Sequence, residues 1–123
     1  MIAARDMGAA IYGECGGFMV LGDSLSDADG KAHPMVGLLP VETSFATRTR
    51  HLGYRKLKGR SGTLFSGNYR AHEFHYSTLL RQGEGGVLFD AEDAAGAALG
   101  AHGLQIGKVA GSYMHLIDLE SAA

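Results

Sequence analysis

The sequence lacks the features of several protein classes. Its one cysteine, Cys15, excludes a disulfide within the chain. No apolar run approaches the roughly 20 residues that a membrane-spanning helix needs. The N-terminal segment contains the acidic Asp6 and no signal-type apolar block. These absences argue against a disulfide scaffold and a membrane protein, and they predict a cytoplasmic location.

The chain also lacks a strong charge of either sign. Its 11 basic and 13 acidic residues give a formal net charge of −2. This balance gives no electrostatic reason to expect nucleic acid or an anionic membrane as a partner. Apolar residues make up 46% of the chain, which is typical of globular proteins and not of disordered ones. We expect a single domain over residues 1–123.

Proline is scarce, with two copies against 19 scattered glycines, so we expect tight turns and close backbone approaches, not linkers. The apolar pattern predicts an α/β fold with a β-rich, partly antiparallel middle section. Helices are predicted over residues 1–8, from Phe18 to Gly22, and over 115–121. Residues 24–30 and 59–62 are predicted to be loop or turn. Strands are predicted over residues 9–12, 36–39, 41–45, 47–50, 54–58, 63–65, 69–76, 79–80, 87–89 and within 104–113.

One turn has the pattern of a nucleophile elbow. Residues 13–17 read GECGG and lie between a predicted strand and a predicted helix. Gly13 and Gly17 are expected to avoid clashes in the turn, and the helix N-terminus is expected to lower the pKa of the Cys15 thiol. The N–H of Gly16 can donate to the oxyanion that forms on an attacked amide carbonyl. The alternative is a buried structural thiol.

A thiolate nucleophile needs a histidine to transfer protons. His115 is the best candidate, because it follows the apolar strand that ends near residue 114. We interpret His33, His51 and His102 as surface residues. A metal site at His72 and His75 is disfavoured, because residues three apart in a strand face opposite sides of the sheet.

Four segments together resemble a known family, the cobyrinic or hydrogenobyrinic acid a,c-diamide synthases of cobalamin biosynthesis. They read YGECGGFMVLG at 12–22, LGYR at 52–55, HEFHYS at 72–77 and GSYMHLI at 111–117. The resemblance implies a class I-like glutamine amidotransferase domain with a flavodoxin-like fold. In it, Cys15 would attack the glutamine side-chain amide, forming a glutamyl thioester and ammonia. His115 would protonate the ammonia and then activate water.

The sequence departs from the wider class at the third catalytic position. Many class I amidotransferases have a carboxylate two residues after the catalytic histidine, and Ile117 stands there in this chain. The resemblance leaves three candidates for the carboxylate: Asp118, Glu120 and Glu73. Glu73 is also a candidate for substrate binding, together with His75 and Arg55. The three arginines Arg48, Arg50 and Arg55 are expected either to face the carboxylates of glutamine or of the corrinoid, or to lie at a solvent-exposed edge of the sheet.

The family's ATP-dependent synthetase domain carries a P-loop, and this sequence has none. The resemblance therefore predicts the C-terminal portion of a glutamine amidotransferase domain, incomplete at its N-terminal side. No cofactor is expected in this chain, because ATP and Mg²⁺ would bind to the missing synthetase domain. The expected partners are glutamine and, by way of that synthetase domain, the corrinoid precursor. An open sheet edge would need cover, so we expect self-association or an upstream domain.

Two other functions stay open at this stage. The chain can be a non-catalytic fragment that acts only as a binding or assembly module. It can also be a hydrolase or peptidase built on the same frame, because fold does not decide substrate.

Overall fold

The structure is a computed structural model and describes residues 2–46 and 50–121. Within these ranges the chain forms two short helices, α1 (Ile2–Asp6) and α2 (Gly16–Leu21). The other regular elements are strands: β1 (Ile11–Glu14), β2 (Ser24–Ser26), β3 (Ala32–Pro34), β4 (Val41–Ser44), β5 (His51–Gly59), β6 (Asn68–His75), β7 (Thr78–Gln82), β8 (Gly86–Asp93), β9 (Ala98–Ile106), β10 (Val109–Ser112) and β11 (His115–Ser121).

The strands form two sheets. The larger has the order β1-β10-β9-β8-β5-β6-β11, and the smaller has the order β3-β2-β4-β7. In the larger sheet β1 runs parallel to β10, and the other neighbours are antiparallel. The predicted β-rich, partly antiparallel middle section is confirmed. Helices are fewer and shorter in the described residues than the predicted α/β class suggests.

Strand β10 separates two hydrophobic cores, because its side chains alternate between the two faces of the sheet. Val109 packs with Phe18 of α2 and with Leu39. Ala110 packs instead with Leu57 and Phe89 from the long antiparallel strands. All six side chains are almost completely buried, so the short segment β10 is fixed from both sides.

The two edge strands of the larger sheet approach each other at one point. The backbone N–H of Leu116 in β11 donates to Oε2 of Glu14 in β1, at 2.8 Å. Because Glu14 is the last residue of β1 and Leu116 the second of β11, the contact lies at the point where β1 turns into α2. This turn contains Cys15.

The predicted helix over residues 115–121 is wrong. These residues form β11, which pairs antiparallel to β6 with His115 opposite His72 and Leu116 opposite Ala71. Leu116 packs against the core formed by the long strands. A seven-residue segment has too few helical bonds to resist such pairing, so tertiary contacts decide its conformation.

Several shorter predictions need correction. Part of the predicted loop at 24–30 is the strand β2, which pairs with β3 and β4. The predicted strand at 36–39 wraps over α2 instead, with the N–H groups of Leu38 and Leu39 bonded to the carbonyl of Leu21. Residues 63–65 form turns. Most of the predicted strand at 47–50, including Arg48, lies outside the described residues. No helix in the described ranges has the length and apolar character needed to cross a bilayer.

Candidate active site

The elbow predicted from the sequence is present at Cys15. This residue has φ 52° and ψ −105°, and it is the one non-glycine residue with positive φ in the described parts of the chain. Its N–H bonds to the carbonyl of Ser112 at 2.8 Å, while its own carbonyl accepts the N–H of Met19 at 3.1 Å. These bonds join the ends of β1 and β10 to the first turn of α2. Strained backbone of this kind is concentrated at functional sites.

The glycines of the elbow do not contribute equally. A Cβ on Gly13 would lie 2.7 Å from the carbonyl carbon of Gly17 and 2.8 Å from Cδ1 of Leu21, so glycine is required there. A Cβ on Gly16 or Gly17 would meet nothing within 4 Å. The expectation that Gly17 must be glycine for space is therefore wrong: the close approach is made by its backbone.

The predicted lowering of the Cys15 pKa is also wrong. Burial of the thiol raises its pKa, and the N–H of Gly16 acts in the opposite direction, but the nearby carboxylates of Glu73 and Glu14 raise it further. The helix has only six residues, which limits its dipole. In the structure Sγ lies 3.7 Å from the carbonyl oxygen of Phe74, as expected of a protonated thiol that donates to it.

His115 begins β11, directly after the segment that follows β10. Its imidazole is half exposed, and Nδ1 lies 3.9 Å from Oε1 of Glu14. Oε2 of the same carboxylate accepts the N–H of Leu116 and the hydroxyl of Tyr12, at 2.8 and 3.3 Å. Burial and the charge of Glu14 raise the pKa of Tyr12, so its hydroxyl stays protonated and donates. Of the carboxylates whose side chains the structure describes, that of Glu14 is the one found within 4 Å of the His115 ring.

Glu73 and His75 lie on the same face of β6, with Arg55 of β5 beside them. Nε2 of His75 is 2.7 Å from Oε2 of Glu73, and Nε of Arg55 donates to Oε1 at 3.1 Å. Burial acts to raise the pKa of Glu73, but the hydrogen bonds from His75 and Arg55 lower it to about 2. The structure thus brings these three predicted site residues together, and it engages Glu73 with partners other than His115.

The ring of His75 lies between two other rings. Tyr113 stacks on one side with ring centroids 3.8 Å apart, and His51 stacks at 4.5 Å. The hydroxyl of Tyr113 accepts a hydrogen bond from Ser77, whose carbonyl in turn lies 2.9 Å from Nδ1 of His75. His51, interpreted from the sequence as a surface residue, is partly exposed, and it lies directly opposite His75 across β5 and β6. Burial lowers the pKa of His51, and the electrostatic effect of the neighbouring His75 acts in the same direction.

A cavity of about 280 Å³ opens beside these rings. Its polar lining includes Glu73, His75, Gln82 and His102, and Phe18 and Tyr113 contribute apolar walls. Cys15 is not among the residues that line this cavity. His102, predicted to be solvated, borders this cavity.

Three potential metal ligands lie within 4.8 Å of one another in the described residues: His51, Glu73 and His75. Their geometry favours a hydrogen-bonded network over a metal site. The rings of His51 and His75 are stacked with 13° between their planes, so their in-plane lone pairs run side by side. Arg55 and His75 also occupy the Glu73 oxygens. His72 lies on the opposite face of β6, where its ring contacts Tyr54.

Sequence reasoning missed Glu14 and His51. The signal for Glu14 was its position: it is two residues after Tyr12 in a strand, so both side chains leave the same face, next to the nucleophile. No local signal identified His51, because its role depends on the register between β5 and β6. Arg50 is exposed and has no assigned role.

Comparison with solved structures gives the fold. The chain superimposes on a structure described as a glutamine amidotransferase with a TM-score of 0.58 and 20% identity, covering 92% of this chain and 56% of that one. The fold is therefore that of a glutamine amidotransferase. The model of the CobB/CobQ-like glutamine amidotransferase domain matches residues 1–123, so the chain belongs to this family of amidotransferase enzymes.

Sequence relatives confirm the resemblance noted above. Hydrogenobyrinate a,c-diamide synthase of a Sinorhizobium species is 54% identical over 123 residues, which is all of this chain and 28% of the relative. The same enzyme of Brucella anthropi is 54% identical over 116 residues, covering 94% of this chain and 26% of the relative. That of Mesorhizobium japonicum is 44% identical over 119 residues. The chain spans about a quarter of the length of these curated relatives.

Proposed function

We propose that this chain is the glutamine-hydrolysing part of a corrinoid a,c-diamide synthase. It would release ammonia from glutamine for the ATP-dependent amidation of the a and c carboxylates in cobalamin biosynthesis. The proposal places ATP and Mg²⁺ in a synthetase domain outside residues 1–123. The observation that carries it is the strained elbow at Cys15, in a chain that belongs to a glutamine amidotransferase family. The parallel pair β1 and β10, with the elbow into α2, supports a flavodoxin-like arrangement.

In the proposed reaction His115 accepts the proton of the Cys15 thiol, and the sulfur attacks the side-chain amide carbon of glutamine. The N–H of Gly16 donates to the oxyanion of the tetrahedral intermediate. The C–N bond breaks as His115 returns the proton to the departing ammonia, which leaves a glutamyl thioester on Cys15. His115 then takes a proton from water, hydroxide attacks the thioester, and glutamate and the free thiol are formed.

The buried network around Glu73 supports this reaction indirectly. Phe74 lies between Glu73 and His75 in β6, and its carbonyl oxygen accepts a hydrogen bond from the thiol of Cys15. Because both neighbours of Phe74 are held by buried hydrogen bonds, the carbonyl has little freedom to move. We assign Glu73, His75 and Arg55 the role of holding this strand against the thiol. A direct role of Arg55 in substrate binding is disfavoured, because its guanidinium bonds to Glu73 and to the carbonyl of Tyr54.

The test uses the full chain and a glutamine-directed electrophile, 6-diazo-5-oxo-norleucine. Mass spectrometry should show one adduct on Cys15, and a coupled assay should show ammonia released from glutamine. Both signals should disappear in Cys15→Ser, and hydrolysis should disappear in His115→Ala. His33→Ala is the matched control, since His33 is an exposed histidine paired with Asp27 in the other sheet. It should behave as wild type.

A second candidate is a folded, non-catalytic module of the same family. The raised pKa of the Cys15 thiol favours it, because a protonated thiol is a poor nucleophile. A chain that is folded by circular dichroism, yet forms no adduct and releases no ammonia between pH 6 and 10, would establish this candidate and reject the first.

A further inference from the structure

We infer that Glu14, the residue immediately before the nucleophile, is the carboxylate that orients His115. The inference rests on the proposed function and supplies the third member that the sequence left undefined. Glu14 would act through His115 and would not touch the substrate, so it is a positioning residue. In this arrangement the strand that leads into the nucleophile, β1, also supplies the orienting carboxylate at its last residue.

The carboxylate of Glu14 is held in place before it reaches His115. Oε2 accepts the backbone N–H of Leu116 and the hydroxyl of Tyr12, which leaves Oε1 directed at Nδ1 of His115. The N–H of Leu116 belongs to the residue after the histidine, so the same carboxylate is hydrogen-bonded to the backbone of this segment and lies 3.9 Å from Nδ1 of its imidazole. A small rotation of the His115 ring toward Oε1 would close this distance to a hydrogen bond.

The conventional position and Glu73 are less suited to this role, and the side chains of Asp118 and Glu120 lie outside the part of the chain whose side chains are described. Ile117 occupies the usual position, its side chain is exposed, and it lies where the register between β11 and β6 shifts by one residue, as in a β-bulge. Glu73 is buried and bonded to Arg55 and His75. Glu14, by contrast, is partly exposed to solvent, and its carboxylate lies 3.9 Å from Nδ1 of His115.

This geometry sets the roles of the two ring nitrogens. With Nδ1 facing the carboxylate, the proton of a neutral ring belongs on Nδ1, and Nε2 keeps its lone pair for the Cys15 proton. When His115 has taken that proton, the imidazolium is stabilised by the negative charge of Glu14. The same charge disfavours the thiolate of Cys15, so transfer to His115 produces an ion pair in place of a lone thiolate near Glu14.

The decisive variant is Glu14→Gln in the full chain. Its side-chain oxygen can still accept the N–H of Leu116, so its NH₂ group is turned toward Nδ1 of His115, where the ring needs an acceptor. This should favour the tautomer with the proton on Nε2, which cannot accept the thiol proton. We expect kcat for glutamine hydrolysis to fall by about 10- to 100-fold, within the range of general acid–base contributions, with KM unchanged. Glu14→Asp should recover part of the loss.

The tautomer can be measured without catalysis. In the chain labelled with ¹⁵N-histidine, signals of His115 are identified by their loss in His115→Gln. The wild type should show the proton on Nδ1, and Glu14→Gln should shift the population toward Nε2–H. Glu42→Gln is the matched control, because Glu42 is an exposed strand carboxylate paired with Arg81 in the other sheet. It should leave both the tautomer and kcat unchanged.

The two readouts separate the two proposals. A tautomer shift in a chain that never hydrolyses glutamine supports the orienting contact and overturns the proposed function. Wild-type kcat together with an unchanged tautomer in Glu14→Gln overturns the role of Glu14 while glutamine hydrolysis stands. If Glu14→Gln does not fold, Glu14→Asp takes its place: its shorter side chain draws the carboxylate back from Nδ1, so a smaller shift toward Nε2–H is expected, and an unchanged tautomer with wild-type kcat overturns the role of Glu14.

Discussion

The guanidinium of Arg55 and the carboxylate of Glu73 form a buried ion pair, with Nε of Arg55 3.1 Å from Oε1 and the side chains only 14% and 7% exposed. Gly53 makes the pair possible: a Cβ at this position would collide with the guanidinium. The ion pair adds a buried side-chain contact to the pairing of β5 with β6, which already joins the two motif segments at 52–55 and 72–77. The pair lies next to Phe74, whose backbone carbonyl accepts the hydrogen bond from the Cys15 thiol. Loss of the pair should therefore affect both the stability of the fold and the geometry around Cys15.

Arg55→Ala should destabilise the fold by about 3 kcal/mol, because it removes one partner of a buried charge and leaves Glu73 with His75 alone. The measurement is urea unfolding followed by circular dichroism at pH 7. Arg60→Ala is the control: Arg60 also pairs with a strand carboxylate, Asp90, but both side chains are about half exposed. This variant should unfold nearly as the wild type does, and equal losses in the two variants would contradict the assigned burial of the Arg55 pair.

Glu73 also predicts how stability depends on pH. Its pKa in the folded chain is about 2, below the ordinary value of 4.5, so its ionised form stabilises the fold above pH 4.5. This contribution should be lost as the pH falls from about 4.5 to about 2, since over this range the unfolded chain binds the proton on Glu73 and the folded chain does not. Urea unfolding at intervals of half a pH unit should show this decline in the wild type. Glu73→Gln should show a shallower slope over the same range.

The sequence was sufficient to predict the elbow because its signal is local: strand, GECGG and helix lie within about a dozen consecutive residues. The motif at 72–77 also singled out Glu73 and His75, which the structure brings into contact, but it did not indicate their hydrogen-bond partners. The stacking of His51 on His75 could not be predicted, since it depends on how β5 and β6 align. The same limit explains β11, whose strand conformation comes from its pairing with β6.

Gly13→Ala should destabilise the chain by about 1–3 kcal/mol, the usual cost of inserting a methyl group into packed surroundings. The new Cβ would meet the backbone of Gly17, which cannot move without shifting the first turn of α2. Gly17→Ala is the matched control. Its Cβ has open space and alanine favours helix, so it should leave stability unchanged or raise it by up to about 1 kcal/mol. Thermal unfolding of both variants gives the comparison, and a tolerant Gly13→Ala would rule out the close approach.

Alkylation of Cys15 tests the electrostatics of the elbow without any substrate. Burial and the charges of Glu73 and Glu14 raise the thiol pKa above its ordinary value of 9.0, so at any given pH the folded chain should contain less thiolate than the unfolded one. The rate of reaction with iodoacetamide, measured from pH 7 to pH 10.5, should therefore rise at higher pH in the folded chain than in the same chain in urea. The comparison is clean because Cys15 is the single cysteine. A rise at lower pH in the folded chain would instead mean that the N–H of Gly16 and the helix end outweigh burial, as the sequence alone had predicted.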